Sequence, residues 1–340
     1  MSASPANQHP SFNRGPAMNS SVSIIIPCYQ QGRFLAEAVE SALGQTHPEV
    51  ETIVVNDGST DETDSVARSF GRRITYIAQG NAGVSAARNA GIAAARGEYL
   101  LFLDADDVLR PESVARMVAA AVGRSCVVVQ GWQHFSDSPQ HPTADEFRPD
   151  LSAGMLPLLL YTNPIQPPAA CLCPAAAVRR LGGFARELAG TEDWDLWIRL
   201  ALDSVPFETI DYLGALYRRH PASASAHGRK MIEGKIDVLL RVYRSLSADP
   251  AREAMLGPHL FQALRDVLRK SIARGRISPA RIAALIEAIR HLQAQRAADF
   301  ATWHERWLHR LFGLRAEWLR VAFWRVLRPK TFRFMADSPA

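Results

Sequence analysis

Residues 80–109 read GNAGVSAARNAGIAAARGEYLLFLDADDVL, and this stretch decides the fold. Ser85 to Ala95 is an alanine-rich helical run that Arg96-Gly97 brings to a stop. YLLFLD (99–104) follows as an apolar run of strand length, and Asp104, Asp106 and Asp107 crowd its end. A strand apolar on both sides belongs in a parallel sheet whose two faces are covered by helices.

The same alternation extends outward. VSIIIP (22–27), TIVVND (52–57) and ITYIA (74–78) are further β-branched or aromatic runs, and Leu35, Val39 and Leu43 mark a helical stripe between the first two. Strand and helix alternating at this spacing predict an α/β protein with a doubly wound, mainly parallel, Rossmann-like sheet. Ligands of such sheets bind beyond the carboxyl ends of the strands. Polar groups follow each predicted strand there: Pro27-Cys28-Tyr29, Asn56-Asp57-Gly58-Ser59, Gln79-Gly80-Asn81 and the aspartate cluster. Four such ends converging on one crevice point to a site.

Beyond this sheet, FSDSPQHPTADEFRPD (135–150) reads as a mobile loop. GGFARELAGTEDWDLWIRLAL (182–202) turns on two glycines and becomes a helix, with Trp194, Trp197, Ile198 and Ala201 on one face. From about residue 226 the pattern is helical, with breaks near Asp249-Pro250 and Ser278-Pro279. The expected organisation is a disordered Ser/Pro/Asn-rich tail (1–20), a catalytic-type α/β domain (21–225) and an α-helical C-terminal extension (226–340).

Composition narrows the class. Of 340 residues, 47% are hydrophobic and 21% charged, a globular balance. No apolar run reaches the roughly 18 residues of a membrane span, and the N-terminus lacks the apolar segment of a secretory signal. Cys28, Cys126, Cys171 and Cys173 show no paired CxxC spacing and read as reduced core thiols; the Cys171-x-Cys173 pair lacks a second half for a metal site. The net charge of +5 resides wholly in residues 301–340, with eight Lys/Arg against three Asp/Glu. The rest of the chain is neutral, which argues against a nucleic-acid-binding body.

Asp104 and Asp106 lie two apart at a strand end, where both carboxylates can approach one cation. Oxygen ligands suit Mg²⁺ or Mn²⁺, ions that also bridge phosphates, and such an ion offsets the carboxylates' repulsion. Asp107 reads instead as the cap of a helix over VLRPESVARMVAA. DADDV also fits the D-x-D-x-[TV] pattern of aspartyl-phosphate phosphatases, but that pattern ends a first strand and here it ends the fourth.

VSIIIPCYQQGRFLAEAVESALGQTHPEVETIVVNDGSTDET, GNAGVSAARNAGIAAARGEYLLFLDADDVL and GTEDWDLWIRLA together resemble family 2 glycosyltransferases of the GT-A fold over about residues 21–225. The resemblance implies an inverting, metal-assisted transfer from a nucleotide-sugar donor. It places Pro27, Tyr29 and Asp57 at the nucleotide base, Asn81 and Arg88 at the nucleotide sugar with Arg88 on the diphosphate, Asp104 at the ribose, and Asp106 with Asp104 on Mn²⁺ or Mg²⁺. His220, in YRRHPASAS, is implied as a further metal ligand or a diphosphate contact, Asp193 as the catalytic base and Glu192 as its support. Gln30 and Asn56 depart from the family's usual Asn and Asp.

Phe300, Trp303, Trp307 and Leu311 form a stripe beside Arg306 and Arg310, and more Trp and Arg follow. This end (300–334) suits either peripheral contact with an anionic membrane or packing in a helical bundle. The Q-x-x-R-W motif of processive relatives is missing, so single-sugar transfer to a glycan or lipid-linked saccharide is expected, in the cytoplasm or on the inner membrane face. The rival expectation is a non-catalytic nucleotide-sugar-binding module.

Overall fold

The computed structural model describes residues 20–151, 154–188, 190–220, 228–274 and 277–294. Its chain divides into two compact units, Met1–Ser223 and Ala224–Ala340. The expected N-terminal tail and the Trp/Arg-rich stretch 300–334 lie outside the described residues.

In the first unit the elements run β1 (Val22–Cys28), α1 (Gly32–Leu43), β2 (Val50–Asp57), α2 (Thr63–Ser69), β3 (Thr75–Gln79), α3 (Val84–Ala94), β4 (Tyr99–Phe102) and β5 (Val108–Leu109). They continue with α4 (Ser113–Ala121), β6 (Val127–Phe135), β7 (Glu146–Phe147), α5 (Met155–Tyr161), β8 (Cys171–Pro174), α6 (Ala175–Arg180), α7 (Glu192–Leu202) and β9 (Phe207–Arg218). One sheet orders them β3-β2-β1-β4-β8-β6-β9-β5, with β7 on β6. The half built from β1 to β4 is parallel, as the two-sided apolar runs require. Beyond β4 the sheet is mixed, because β8 runs antiparallel to both β4 and β6. The fold is therefore a mixed, mostly parallel curled sheet with flanking helices.

β1 is buried at every residue because β2 and β4 flank it and helices cover it. α3 comes down on β1 at Gly91, where a Cβ would stand 2.3 Å from Ile25 Cγ2. Alanine there forces the helix off the sheet. Gly91→Ala is expected to cost about 1–3 kcal/mol, read as a lower urea midpoint at unchanged slope.

Two expectations need correction. Residues 135–150 are not loop throughout, since Phe147 and Glu146 pair with Trp132 and Gln133, and the Phe147 ring stacks on Trp132 at 5.3 Å. Asp107 is not a helix cap. The chain enters β5 at Val108, α4 begins only at Ser113, and Glu112 holds its cap position. β5 pairs antiparallel with β9, Val108 against Leu216, so the continuing strands draw residues 218–220 alongside 104–107.

The second unit consists of α8 (Gly228–Ser247), α9 (Pro250–Arg274) and α10 (Pro279–Ala294). Leu239, Leu260, Leu264 and Leu285 are fully buried within it, and Arg281 makes a two-pronged ion pair with Asp237. All four cysteines are buried free thiols. No described helix is long and apolar enough to cross a membrane.

Candidate functional site

The crevice forms at the carboxyl ends of β1, β2 and β4. After β1, Gln30 turns into the left-handed region (φ 55°), and its side chain ties this end to the β2–α2 loop. Its Oε1 accepts the Thr60 and Asp61 N–H groups at 3.0 and 3.2 Å. The neighbouring Tyr29 ring is left 49% exposed, an open face on which a base can stack. Pro27 is buried inside the ladder opposite Val55, so it shapes the strand end and offers no open surface.

Asp57 is buried at the end of β2, where it organises the loop before α3. Its Oδ1 accepts Gln79 Nε2 (2.7 Å) and Ala82 N–H (3.0 Å), and its Oδ2 accepts Gly83 N–H (2.8 Å). A carboxylate oxygen has two lone pairs, so Oδ2 keeps one for a further N–H. The loop passes so close to Gly58 (φ +77°) that a Cβ there would meet the Asn81 nitrogen at 2.6 Å. Asn81 itself is exposed.

After β4 the three aspartates take separate environments. Asp104 is part-exposed, Asp106 is 8% exposed and Asp107 is fully buried. Asp106 Oδ2 meets His220 Nε2 at 2.9 Å, and the His220 ring leans on Phe34. Asp107 Oδ1 accepts the Arg218 N–H at 2.9 Å. Arg218 also donates through Nε to the Asp106 carbonyl at 2.8 Å, pairs with Glu37, and lies over the rings of Phe34 and Phe135. Burial first, then the charges of neighbouring aspartates, push the carboxyls of Asp106 and Asp107 above the usual range. Carboxylates held together against that repulsion fit a hard divalent cation. Asp106 and His220 converge as donors and Asp104 stands beside them; no cluster of three or more such ligands is assembled among the described residues.

Arg88, expected at the diphosphate, lies here between two carboxylates. It is 2% exposed, and its two terminal nitrogens donate to Asp104 (2.6 Å) and Glu192 (2.8 Å). The guanidinium therefore ties the aspartate cluster to the start of α7. Glu192 is buried and also accepts the Gly190 N–H at 2.6 Å. Next to it, Asp193 is half-buried; its Oδ1 accepts the Trp194 N–H at 2.6 Å and its Oδ2 accepts Asn163 Nδ2 at 3.0 Å. Burial and then the Glu192 charge raise its carboxyl to about 7, while Arg88, Trp194 and Asn163 pull the other way. A carboxylate that titrates near neutrality can take a proton from a hydroxyl and release it again.

The arrangement unites Asp104, Arg88, Glu192 and Asp193 on one side and Asp106 with His220 on the other. Arg218, Glu37 and Asn163 were missed from sequence. Arg218 adjoins His220 in YRRH, but only the β5–β9 pairing turns it towards the aspartates. Asn163 belongs to a proline-rich connection without a distinguishing pattern.

Residues 23–184 match the family model described as Glycosyl transferase family 2. An uncharacterized glycosyltransferase of Rickettsia prowazekii (strain Madrid E) is 33% identical over 186 residues, 52% of this chain and 58% of that protein. The uncharacterized glycosyltransferase EpsJ of Bacillus subtilis (strain 168) is 42% identical over 103 residues, 29% of this chain and 30% of that one. The chain thus spans less than two thirds of these relatives' length. The crystal structure of S. aureus TarS 1-349 in complex with UDP-GlcNAc superposes with a TM-score of 0.62, at 20% identity over 81% of each chain. Mannosyltransferase PcManGT from Pyrobaculum calidifontis, solved with GDP-Man and Mn2+, gives 0.52 at 17% identity, covering 94% of this chain and 91% of that one. At these identities the likeness to both structures is one of fold.

Proposed function

From the match of residues 23–184 to the Glycosyl transferase family 2 model, we propose that the protein moves a sugar from a nucleotide-diphosphate donor to a hydroxyl of a glycan or lipid-linked saccharide. The observation that carries this reading is the buried Arg88, which joins the aspartate cluster to the helix start bearing Asp193. A leaving-group site and a base then face one crevice, the arrangement an inverting, single-sugar transfer requires.

The base of the donor stacks on Tyr29 and gives an N–H to the free lone pair of Asp57 Oδ2, with Asn81 at the loop rim. Asp106 and His220 would hold Mn²⁺ or Mg²⁺, with Asp104 beside them towards the ribose. The ion, when bound, neutralises charge on the departing diphosphate. Asp193 takes the acceptor hydroxyl's proton as the hydroxyl oxygen attacks the sugar's anomeric carbon from the face opposite the leaving group. Glu192, neutralised by Arg88, supports α7 at the correct depth. PcManGT was solved in complex with GDP-Man and Mn2+, which supports the metal part of this reading. The protein is placed in the cytoplasm, with 300–334 as the candidate contact to the inner membrane face.

A panel of nucleotide sugars, each melted with the protein with and without Mn²⁺, tests the reading. At a hundredfold excess over Kd one donor is expected to raise the melting temperature by roughly 5–10 °C, and only with the metal. Asp106→Ala is expected to remove that increment. A donor that stabilises equally in chelator would sink the metal assignment, and a panel without any stabilising member would sink the donor assignment.

A further inference from the structure

We propose that Asn163 is a positioning residue for Asp193: its amide holds Oδ2 of the carboxylate and fixes the direction in which the other lone pairs face the acceptor. The inference rests on the reading of Asp193 as the base and adds a second residue to it, one remote in sequence.

Three contacts carry the argument. Asn163 Nδ2 donates to Asp193 Oδ2 at 3.0 Å. Asn163 Oδ1 accepts the Ile165 N–H at 3.2 Å, so the amide oxygen is committed to its own backbone and the NH₂ end is the one presented to the carboxylate. Trp194 Nε1 donates to the Leu159 carbonyl at 2.7 Å, which ties the helix bearing Asp193 to α5, two residues before Asn163. The amide and the carboxylate are therefore held by separate anchors on two elements, and a single rotamer change in either breaks the contact.

The contact also bears on when Asp193 is ionised. The charged and titratable groups facing Asp193 are Glu192 on its own helix, Arg88 from α3 and the Cys171 thiol from β8. The arginines of α6 point elsewhere, Arg179 to the Ala95 carbonyl and Arg180 to Asp203. Glu192 and burial favour the neutral acid, whereas Arg88 and the Asn163 amide favour the carboxylate. A donor N–H on the charged form lowers a carboxyl's pKa, so its removal leaves the base protonated to higher pH.

The test is a carboxyl-carbon NMR titration of the whole protein, with the Asp193 signal assigned by its loss in Asp193→Asn, alongside the pH dependence of sugar transfer from the donor that the melting panel selects. Asn163→Leu, close in volume but without a donor, is expected to move the Asp193 midpoint up by about one pH unit. The acid limb of the rate profile should move with it. Asn163→Asp places a like charge against Asp193, and is expected to move the upper titration step further than Leu does. It also keeps the original shape if Leu impairs folding. Slower transfer with the midpoint and acid limb unmoved in both variants would reduce Asn163 to a packing residue and overturn the proposal. Should Asp193→Asn itself retain transfer, the base assignment falls first; unchanged titration in the Asn163 variants beside an inactive Asp193→Asn removes only the present inference.

Discussion

Asp193→Asn is expected to lower sugar transfer about 10²–10⁴-fold while making the protein more stable above neutral pH. The first effect follows from losing the proton acceptor; donor binding, which depends on other residues, should persist. The second follows from linkage. Asp193 keeps its proton in the folded state up to about pH 7, whereas the ordinary value of 3.8 applies once the chain unfolds. Between those values the folded state binds the extra proton, so stability falls as pH rises through that window and the penalty is complete above it. Asparagine carries no such penalty. Melting curves should therefore place the variant several degrees above wild type at pH 8 and converge with it towards pH 4. The transfer rate of the wild type should decline as pH drops below about 7, as the base becomes protonated. An Asp193→Asn protein that transfers sugar within a few-fold of wild type would falsify the base assignment, whatever its stability.

Arg88→Met carries the second large expectation, and its sign is opposite. Arg88 has a side-chain exposure of 3% and bonds Asp104 at 2.6 Å and Glu192 at 2.8 Å. Its removal leaves Glu192, itself 7% exposed, as a buried charge with the Gly190 N–H as a neutral partner and no paired cation. Breaking such a pair from one side costs about 3–5 kcal/mol, because desolvation of the remaining ion is no longer offset. Urea unfolding should show that loss. Arg88→Lys should recover only part of it, since a single ammonium cannot fork across two carboxylates. Arg88→Met combined with Glu192→Gln should recover more. If Arg88→Met unfolds at the wild-type urea concentration, the bridge between the aspartate cluster and α7 contributes nothing and the carrying observation for the proposed function is lost.

The fold was legible where burial is two-sided. The runs 22–27, 52–57, 74–78 and 99–104 each lie on an observed strand to within two residues at either end, and the alanine-rich stretch became α3. Periodicity alone decides such segments. β6, β8 and β9 went unread because CLCP (171–174) and the segments around it carry no period distinct from a buried loop, and their strand state comes from pairing with β4 and with one another. Phe147 was hidden for the same reason, in a two-residue strand that exists only by virtue of β6.

The site divides along the same line. That polar groups crowd the carboxyl ends of parallel strands, and that Asp104 and Asp106 share a strand end, follows from sequence order, since a local run of residues determines both. What Asp57, Arg88 and Asp107 do is determined by partners 16 to more than 100 positions away. The structure adds to Asp57 the anchoring of the α3 loop and to Arg88 a bridge between carboxylates, and it changes Asp107 from a helix cap into a buried partner of Arg218. Sequence by itself determined the parallel half of the sheet, the crevice and the acidic strand end, because each is written in the periodicity or order of neighbouring residues. Only the tertiary structure decided which cation sits beside which carboxylate, because charge pairing in a low-dielectric interior depends on distance in space and carries no sequence period.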